Sequence, residues 1–355
     1  MSESHIMQFL ILKPSSLGDV IHAFPAVSAL LRAFPGSTAD WFIQPAFAEL
    51  TAYLPGIRRN ILFQRKKLGK LATFPQELQA LKKDIRMTSY DAVIDLQGLT
   101  RSAAIGRLAK SSVYAGPAKP KEWLAKAAYN KFLHAPAERH ALERNNLMIA
   151  DFLQKSDLDF SFTMEKVDVY ADAANKIIAD AGLPAGQKFA AVAPGARWLT
   201  KQWPPEFFAQ VIQRISEKHP EYHFLLLGTA DDSPAAKIIA EKSNCPCTDL
   251  CGKTSLGALV EIIRKTDLFL CNDSGPMHIA AALNVPLLAM FGPTSPVLTG
   301  PYSEKSKVLQ PAIPCLGCFK RNCPQKTECH HAIAPALAAE AAEELLNKYQ
   351  PSTES

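Results

Sequence analysis

Residues 267–296 read DLFLCNDSGPMHIAAALNVPLLAMFGPTSP, and this stretch decides the predicted fold. An apolar run at residues 268–271 is followed by a polar turn at 272–276, a helix of small residues at 277–283, and a second apolar run at 286–291. A strand, a helix and another strand in such close succession are typical of a βαβ unit with parallel strands. We therefore predict an α/β fold built on parallel sheets.

The turn between the first strand and the helix predicts a binding site for an anion. Ser274 suits the N-cap, Pro276 suits the first helical position, and Gly275 allows a ligand to come close to the backbone. The first backbone N–H groups of a helix lack intrahelical partners and lie at the positive end of the helix dipole. A phosphate is therefore the natural ligand.

The same turn also fits an ordinary βαβ unit in which Asp273 and Ser274 only cap the helix. Two features favour a ligand site. His278 follows in the first helical turn, and a second loop at residues 292–296 stands at the end of the next strand. Ligands of open α/β sheets bind at the carboxyl ends of the strands, where both loops would lie.

Apolar strands alternate with helical segments along the rest of the chain, which indicates parallel sheets covered by helices on both faces. A chain of 355 residues is long enough for two domains, and the polar-interrupted stretch at 158–169 is the predicted linker. In the second half, strands end in polar loops at residues 194–203, 228–232, 251–254 and 272–278. We expect these loops to form one nucleotide-sized site. The other predicted strands are residues 9–12, 39–43, 61–63, 92–96, 189–193 and 222–227. The other predicted helices are residues 20–34, 45–54, 74–86, 102–108, 140–153, 171–181, 206–218, 235–242 and 336–349, and a helix that ends at residue 264. Residues 119–133 are predicted as a basic helix or loop, and residues 351–355 are predicted to be disordered.

The composition is that of a globular protein, with 48% hydrophobic and 21% charged residues. Because no apolar run reaches the length of a membrane span and the N-terminus lacks a signal peptide, we expect a cytoplasmic protein. The formal net charge of +5 is modest, but basic residues gather in the first half. This predicts an acidic partner, such as a phosphorylated lipid, a sugar acid or nucleic acid, or else a solvated face. Nucleic acid is disfavoured by the modest charge and the lack of a binding module.

The cysteines provide a second candidate site. Four of the eight form the pattern C-x2-C-x4-C-x5-C beside two histidines, namely Cys315, Cys318, Cys323, Cys329, His330 and His331. A cytosolic chain is not expected to hold disulfides. The spacing is compatible with a small structural zinc or iron site, and equally with reduced thiols in a surface loop. A catalytic role is not expected in either case.

The loop after the first strand reads KPSSLGD at residues 13–19. It matches neither a P-loop nor G-x-G-x-x-G, so it does not predict a nucleotide. Asp19 stands at the start of the following helix. It would be either a helix cap or a carboxylate held at the mouth of a cleft as a general base.

A set of short motifs resembles glycosyltransferase family 9, the bacterial lipopolysaccharide heptosyltransferases. The motifs are KPSSLGDVIH at 13–22, DLQGLTRSA at 95–103, YN at 129–130, HALER at 140–144, KQWP at 201–204, NDSGPMH at 272–278 and FGPT at 291–294. The resemblance covers nearly the whole chain, and HALER is similar to the first of the two main heptosyltransferase types rather than the second.

The resemblance implies a GT-B fold, with two Rossmann-like domains whose parallel sheets face each other across a cleft. Residues 1–165 would be the acceptor-binding domain. Residues 166–332 would bind the ADP-sugar and carry the cysteine-rich insert at 315–331. Residues 333–350 would form a C-terminal helix able to pack back on the first domain.

The resemblance also implies an inverting, metal-independent transfer of L-glycero-D-manno-heptose from ADP-heptose to Kdo of Kdo-lipid A. No cofactor would be required for catalysis, and a metal at the cysteines would be structural. The enzyme would work in the cytoplasm, in peripheral contact with the anionic inner membrane and without nucleic acid. One alternative is transfer to a heptose or another core sugar. Another is a nucleotide-binding assembly protein without turnover, which would have no use for a carboxylate base.

Site roles carry over by position from the same resemblance. Asp19 would be the catalytic base, and Lys201 would stabilise the departing diphosphate. The implied donor-binding residues are Ser16, Gly18, Ala196, Arg197, Lys201, Asp232 on the ribose, Thr254 near the adenine, Asp273, Ser274, Gly275 and His278. The implied acceptor-binding residues are Arg65, Lys66, Lys67, Arg101, Lys121, His140 and Arg144. The chain departs from the family at Ala196 and Arg197, where a pair of threonines is expected, and at Lys121, where an arginine is expected.

Overall fold

The computed structural model describes residues 6–324 and 328–349 of the chain. Between Met164 and Glu165 the chain divides into two compact parts, which we call the N-terminal unit and the C-terminal unit. Each contains a six-stranded sheet in which all paired strands are parallel. The prediction of parallel sheets covered by helices is confirmed.

The sheet of the N-terminal unit has the order β3-β2-β1-β4-β5-β6. Its strands are β1 Gln8–Leu12, β2 Thr38–Ile43, β3 Ile57–Leu62, β4 Ala92–Asp95, β5 Val113–Pro117 and β6 Lys131–Leu133. The chain runs outward from β1 in one direction and from β4 in the other, so the loops after these two strands meet at the point where the strand order reverses. Ligands of such sheets bind at this point.

The helices of the N-terminal unit are α1 Leu17–Ile21, α2 Phe24–Ala33, α3 Arg65–Leu68, α4 Phe74–Ile85, α5 Thr100–Gly106 and α6 Ala141–Leu153, with 3-10 helices at Pro45–Tyr53 and Trp123–Ala128. The prediction of one helix at residues 20–34 is wrong. Pro25 occupies the first turn of α2, the position where its missing N–H costs least, and the chain begins a new helix there. The short α1 that this leaves carries Asp19.

The sheet of the C-terminal unit has the order β12-β11-β10-β7-β8-β9. Its strands are β7 Lys188–Ala193, β8 Tyr222–Leu226, β9 Cys247–Asp249, β10 Thr266–Asn272, β11 Leu287–Met290 and β12 Ser306–Leu309. Here the strand order reverses between β7 and β10. The loop after β7 leads to Lys201, and the loop after β10 carries Asp273, so two predicted site residues follow the two central strands.

The helices of the C-terminal unit are α7 Asp168–Asp180, α8 Pro205–Lys218, α9 Ser233–Ser243, α10 Leu256–Arg264, α11 Gly275–Ala282, α12 Pro296–Thr299, α13 Glu328–His331 and α14 Pro335–Tyr349, with 3-10 helices at Leu199–Lys201 and Ala230–Asp232. The last helix, α14, packs on α8 and on β10 and β11 of its own unit. Its Leu345 and Leu346 are buried in one core with Phe208 and Leu270. These contacts lie within the C-terminal unit, and the packing of this helix on the first domain stays a prediction. Residues 351–355 lie outside the described residues.

Candidate active site

Asp19 is the third residue of α1 and forms a capping box with the N-cap Ser16. Its Oδ2 accepts hydrogen bonds from the backbone N–H and the hydroxyl of Ser16, both at 3.0 Å. Of the two roles predicted for Asp19, the capping role is thus present. These bonds occupy Oδ2, and the other carboxylate oxygen faces two lysines.

Lys13 and Lys121 place positive charge beside Asp19. Their Nζ atoms lie 3.9 Å and 3.5 Å from its Oδ1. Burial alone would raise the pKa of Asp19, but the charges of Lys13 and Lys121 and the hydrogen bonds from Ser16 outweigh it and hold the pKa below its usual value. Asp19 is therefore ionised at neutral pH.

Lys13 is a site residue that the sequence analysis left without a role. Its side chain is buried, and its Nζ donates to the carbonyl of Leu96 at 2.6 Å and reaches Asn145 Oδ1 at 3.5 Å. Burial lowers its pKa to about 8, against the opposing effect of Asp19. A lysine after the first strand is a common residue, so only the burial and the neighbouring carboxylate mark it as part of the site.

A cavity of about 50 Å³ opens beside Asp19. Its lining includes the predicted residues Asp19, Lys121 and Arg144, together with Lys13, Lys119, Gln97 and Asn145. Two buried polar atoms of this lining, Arg144 Nε and Gln97 Oε1, have no hydrogen-bond partner among the described residues. Four cations around one cavity suit an anionic ligand. Arg144 Nε can donate to the anion, and Gln97 Oε1 can accept from a hydroxyl of the same ligand.

The loop that delivers Gln97 is held by Asp95, a fully buried carboxylate at the end of β4. Asp95 accepts from the backbone N–H groups of Gln97 at 2.7 Å and Gly98 at 3.1 Å, and from the hydroxyls of Ser102 at 3.0 Å and Tyr129 at 2.9 Å. Burial raises the pKa of Asp95, while these bonds oppose the rise. The hydrogen bond from Tyr129 to Asp95 connects the motif at 129–130 to the motif at 95–103.

The other predicted acceptor residues lie outside this cavity lining. Arg65, Lys66 and Lys67 form the exposed helix α3, and Arg101 is exposed on α5. The placement of His140 inside a helix is wrong, because His140 is the N-cap of α6 and accepts from the backbone N–H of Leu142 at 3.1 Å through Nδ1. Its buried ring packs edge-on against His22.

Asp273 is the centre of the candidate site in the C-terminal unit. It follows β10 and is 5% exposed. Its Oδ2 accepts hydrogen bonds from Lys201 Nζ and from Thr294 Oγ1, both at 2.5 Å. Lys201, which was predicted to contact the diphosphate, is therefore held by Asp273 of the predicted donor-binding turn. Thr294 comes from the loop after β11, which the sequence analysis singled out only as a motif.

Asn272 joins the loops after β7 and β10. Its amide donates to the carbonyl of Pro194 at 2.7 Å, and its Oδ1 accepts from the backbone N–H of Trp203 at 3.0 Å. The side chain of Gln202 closes the same loop by donating to the carbonyl of Ala196 at 2.9 Å. Lys201 lies between these anchored residues, so its backbone position is set by several hydrogen bonds.

The helix α11 begins at Gly275, with Ser274 as its N-cap, so Pro276 is the second and not the first helical residue. The hydroxyl of Ser274 caps no backbone group, and its oxygen is buried without a partner among the described residues. His278 is buried in the first turns of the helix. The free amide groups at this end and the Ser274 hydroxyl can bind an anion.

Asp232 lies at the carboxyl ends of β7 and β8. Its Oδ2 accepts from the backbone N–H and the hydroxyl of Thr229, both at 2.8 Å. It packs so closely on two glycines that a Cβ at Gly228 would lie 2.7 Å from Oδ2 and a Cβ at Gly195 would overlap the carboxylate. Thr254 follows in the loop before α10. In the same loop, an added Cβ at Gly252 would lie 3.0 Å from Ala230.

The remaining predicted donor residues belong to two different units of the chain. Ser16 and Gly18 belong to the N-terminal unit with Asp19, whereas Ala196 and Arg197 lie on the loop that leads to Lys201. The Lys201 ammonium also lies 4.8 Å from the ring centre of Trp198, whose ring has Arg321 at 4.9 Å. Trp198 is thus a further residue of this loop with cations on its ring.

All eight cysteines are thiols. The four in the insert line one cavity of about 20 Å³, together with Thr200, Gly292, Pro293 and Lys320. No group of three or more His, Cys, Asp or Glu side chains in the described part of the chain is already arranged to hold a metal ion. The four thiols converge on one cavity, and the metal suggested by their spacing stays a prediction.

Comparison with known proteins identifies the family. The model for glycosyltransferase family 9 (heptosyltransferase) matches residues 78–328. Lipopolysaccharide heptosyltransferase 1 of Pseudomonas aeruginosa is 31% identical over 89% of this chain and 87% of its own length. The chain belongs to glycosyltransferase family 9. This confirms the resemblance seen in the motifs, and the protein is a glycosyltransferase.

Solved structures of family 9 agree with the fold. The structure of Escherichia coli heptosyltransferase WaaC with ADP has 26% sequence identity to this chain and a TM-score of 0.79, covering 96% of this chain and all of that one. Lipopolysaccharide heptosyltransferase 1 of E. coli K12 is 29% identical over 85% of this chain and 93% of its own length. The two Rossmann-like units are those of the GT-B fold, as predicted.

Proposed function

We propose that this family 9 glycosyltransferase transfers L-glycero-D-manno-heptose from ADP-heptose to a hydroxyl of Kdo in Kdo-lipid A, with inversion at the anomeric carbon. The observation that carries the proposal is the Lys201–Asp273–Thr294 arrangement beside the start of α11. It supports binding of a diphosphate in a chain related to proteins named heptosyltransferase 1.

The donor would be held by the C-terminal unit. An ammonium has three N–H donors, and Lys201 uses one on Asp273, so others remain for diphosphate oxygens. The free amides of Gly275 and its neighbours and the Ser274 hydroxyl would bind the same group. Asp232 would accept from a ribose hydroxyl, and Thr254 would lie near the adenine. Ala196 and Arg197 would contact the phosphates from the preceding loop.

The N-terminal unit would supply the base, with Ser16 and Gly18 beside it. As the acceptor oxygen attacks the anomeric carbon, its proton passes to Asp19 and the bond from that carbon to the diphosphate oxygen breaks. Positive charge at Lys201 and the α11 amides stabilises the ADP that leaves. These groups provide the base and the leaving-group stabilisation, so the proposed chemistry uses no metal ion.

The cation-lined cavity supports an anionic acceptor. Lys119, Lys121 and Arg144 line it with Asp19 at its edge, and this charge pattern suits a Kdo carboxylate placed so that a hydroxyl meets the base. Arg101 and His140 would contribute from outside this lining. A second candidate acceptor is a core heptose, because proteins named heptosyltransferase 2 are also similar, at 27% identity over 96% of this chain for the Campylobacter jejuni protein.

We also propose peripheral contact with an anionic membrane in the cytoplasm. Within the described residues, no helix combines the length and apolarity that crossing a bilayer requires. The basic helix α3 is exposed, and Leu71 beside it is 95% exposed. Basic residues with an apolar neighbour at the surface can bind anionic lipid head groups reversibly.

Product analysis tests the proposal. The purified protein is incubated with ADP-heptose and either Kdo-lipid A or Kdo-lipid A that already carries one heptose, and the lipids are analysed by mass spectrometry. We expect one heptose to be added to the first acceptor and none to the second. Transfer only to the heptosylated lipid would support the second candidate. Absence of transfer to both, with ADP bound normally, would support an assembly protein without turnover.

A further inference from the structure

The cysteine-rich segment contacts the site that holds Lys201. Its four thiols, those of Cys315, Cys318, Cys323 and Cys329, surround a cavity that also touches Thr200 and Gly292. Thr200 immediately precedes Lys201, and Gly292 lies two residues before Thr294. The thiol cavity thus borders both loops whose side chains bond to Asp273.

On the lysine side, two residues of the segment bond directly to Thr200. The Thr200 hydroxyl donates to the carbonyl of Lys320 at 3.0 Å, and His330 Nε2 donates to the carbonyl of Thr200 at 2.5 Å. Lys320 lies between the second and third cysteines of the pattern, and His330 follows the fourth. A ligand that holds the four cysteines in place would therefore restrain the backbone of the 3-10 turn Leu199–Lys201 through these two hydrogen bonds.

On the threonine side, the segment packs on the backbone of the loop after β11. The backbone N–H of Phe319 donates to the carbonyl of Pro293 at 2.8 Å. At Gly292 an added Cβ would lie 2.6 Å from His330 Nε2 and 3.1 Å from Cys329 Sγ, so this position has no room for a side chain. The loop that carries Thr294 is therefore also held by the cysteine-rich segment.

We propose that Cys315, Cys318, Cys323 and Cys329 bind one thiophilic divalent metal ion, zinc or iron, and that this ion positions Lys201 and Thr294 for the donor. Thiolates favour these metals and bind them tetrahedrally. A cavity of about 20 Å³ has room for a single small ion. Binding draws the four sulfur atoms together and releases their protons, which completes the coordination geometry.

The thiol cavity borders the loops after β7 and β11, and its lining does not include the side chains proposed to bind the donor. The metal would be a positioning ion, because it would act through Thr200 and the loop after β11, and neither Lys201 nor Asp273 lines the cavity. Its role at the donor rests on the proposed function of Lys201. The existence of the metal site and its effect on the 3-10 turn Leu199–Lys201 do not depend on that proposed function.

Metal content gives the first test. The full chain, purified under reducing conditions, is analysed by inductively coupled plasma mass spectrometry before and after exchange into cobalt. We expect about one zinc or iron per chain, as four thiolates make one tetrahedral site, and thiolate-to-cobalt charge-transfer absorption after exchange. Cys318→Ser and Cys323→Ser should lose the metal. Cys245→Ser should keep it, because Cys245 lies 3.7 Å from Cys247 outside the cavity.

Hydrogen–deuterium exchange of the wild-type protein gives the second test and needs no donor. Removal of the metal by a chelator should speed exchange at the backbone amides of Lys201 and Gln202, which close the 3-10 turn, and leave β1 unchanged. The affinity for ADP should fall about tenfold, within the usual range of coupling between two sites. By linkage, ADP should tighten metal binding by the same factor.

The outcomes separate this inference from the proposed function. A chain that takes up no metal even when zinc or iron is supplied, or whose four cysteines form disulfides, overturns the metal site. A metal whose removal leaves exchange at residues 199–202 unchanged overturns the positioning role. If metal content and exchange follow expectation but ADP affinity is unaffected, the positioning ion stands and the donor role of Lys201 fails.

Discussion

Asp19 carries its negative charge before any acceptor arrives, since Lys13 and Lys121 hold its pKa down. Asp19→Asn keeps the size of the side chain and an oxygen that can accept from the Ser16 backbone, but removes the base. We expect the transfer rate to fall by about 10² to 10⁴, the usual contribution of general base catalysis, with ADP affinity unchanged. Steady-state transfer assays and ADP calorimetry on the variant measure both quantities. Turnover equal to wild type would remove Asp19 from the proposed role.

The two lysines predict a pH effect of definite sign. In the proposed mechanism transfer requires ionised Asp19, so we expect activity to be lost as the pH falls through the pKa of Asp19. Lys121→Met removes one of the charges that lower this pKa, so the pKa rises and the acid limb of kcat/KM moves to higher pH. The pH profile of the variant against wild type measures the shift.

Lys119→Met is the matched control for that experiment. Lys119 lines the same cavity but forms no ion pair with Asp19 within the described residues. Its loss should weaken acceptor binding and leave the acid limb where it is in wild type. Equal shifts in both variants would mean that general loss of cavity charge, and not the pair with Asp19, sets the pH profile.

Individual site residues were predictable where the sequence pattern limits their role. Asp19 and Asp273 follow buried strands, and the structure places Asp273 directly after β10 and Asp19 in α1, after the loop that follows β1. Lys13 and Asp95 were not identified, because their importance comes from burial and from partners such as Asn145 and Tyr129, which lie far along the chain. Single-sequence patterns contain no information on such long-range contacts.

The helix α3 is the element predicted to contact a membrane. Its three basic residues, Arg65, Lys66 and Lys67, are exposed, although Lys67 lies 3.2 Å from Glu77 and shares its charge. Each basic residue near an anionic surface contributes about 1 kcal/mol. Changing all three to Gln should therefore weaken binding to anionic liposomes about 30- to 150-fold. Sedimentation with liposomes at low and moderate salt measures this.

The control for α3 changes charge by the same amount elsewhere. Lys176, Lys237 and Lys265 are exposed in the C-terminal unit, and their joint replacement by Gln should leave liposome binding nearly unchanged. If both triple variants lose binding alike, net charge and not α3 governs the contact. If neither loses it, α3 is not the membrane-binding element.

Elements with a full apolar pattern were predicted closely, and short or edge elements were not. β10 and α8 differ from their predicted bounds by only one or two residues. The edge strands β6, β9 and β12 have only three or four residues each, too few to give a pattern, and were missed. The interior strand β5 was also missed. The break between α1 and α2 was missed because Pro25 can either start a helix or kink one.

At the scale of the whole molecule, each unit has its own hydrophobic core. We therefore expect a bound nucleotide to stabilise mainly the unit that binds it. ADP at a hundred times its Kd should add about 2.7 kcal/mol to the folded state that binds it. We expect slower hydrogen exchange in the C-terminal sheet, centred on β7 and β10, and little change in β1 and β4. Exchange measured with and without ADP tests this. Lys201→Met should abolish most of the protection, whereas protection confined to the N-terminal sheet would place the nucleotide there.

The close packing of Asp232 on Gly195 and Gly228 has an evolutionary consequence. A methyl group at either glycine would displace the carboxylate, so the three positions can change only together. Among relatives that keep an acid at position 232, we expect glycine at both of the others. Lineages that replace either glycine should also have lost the acid, and with it the proposed contact between Asp232 and a ribose hydroxyl.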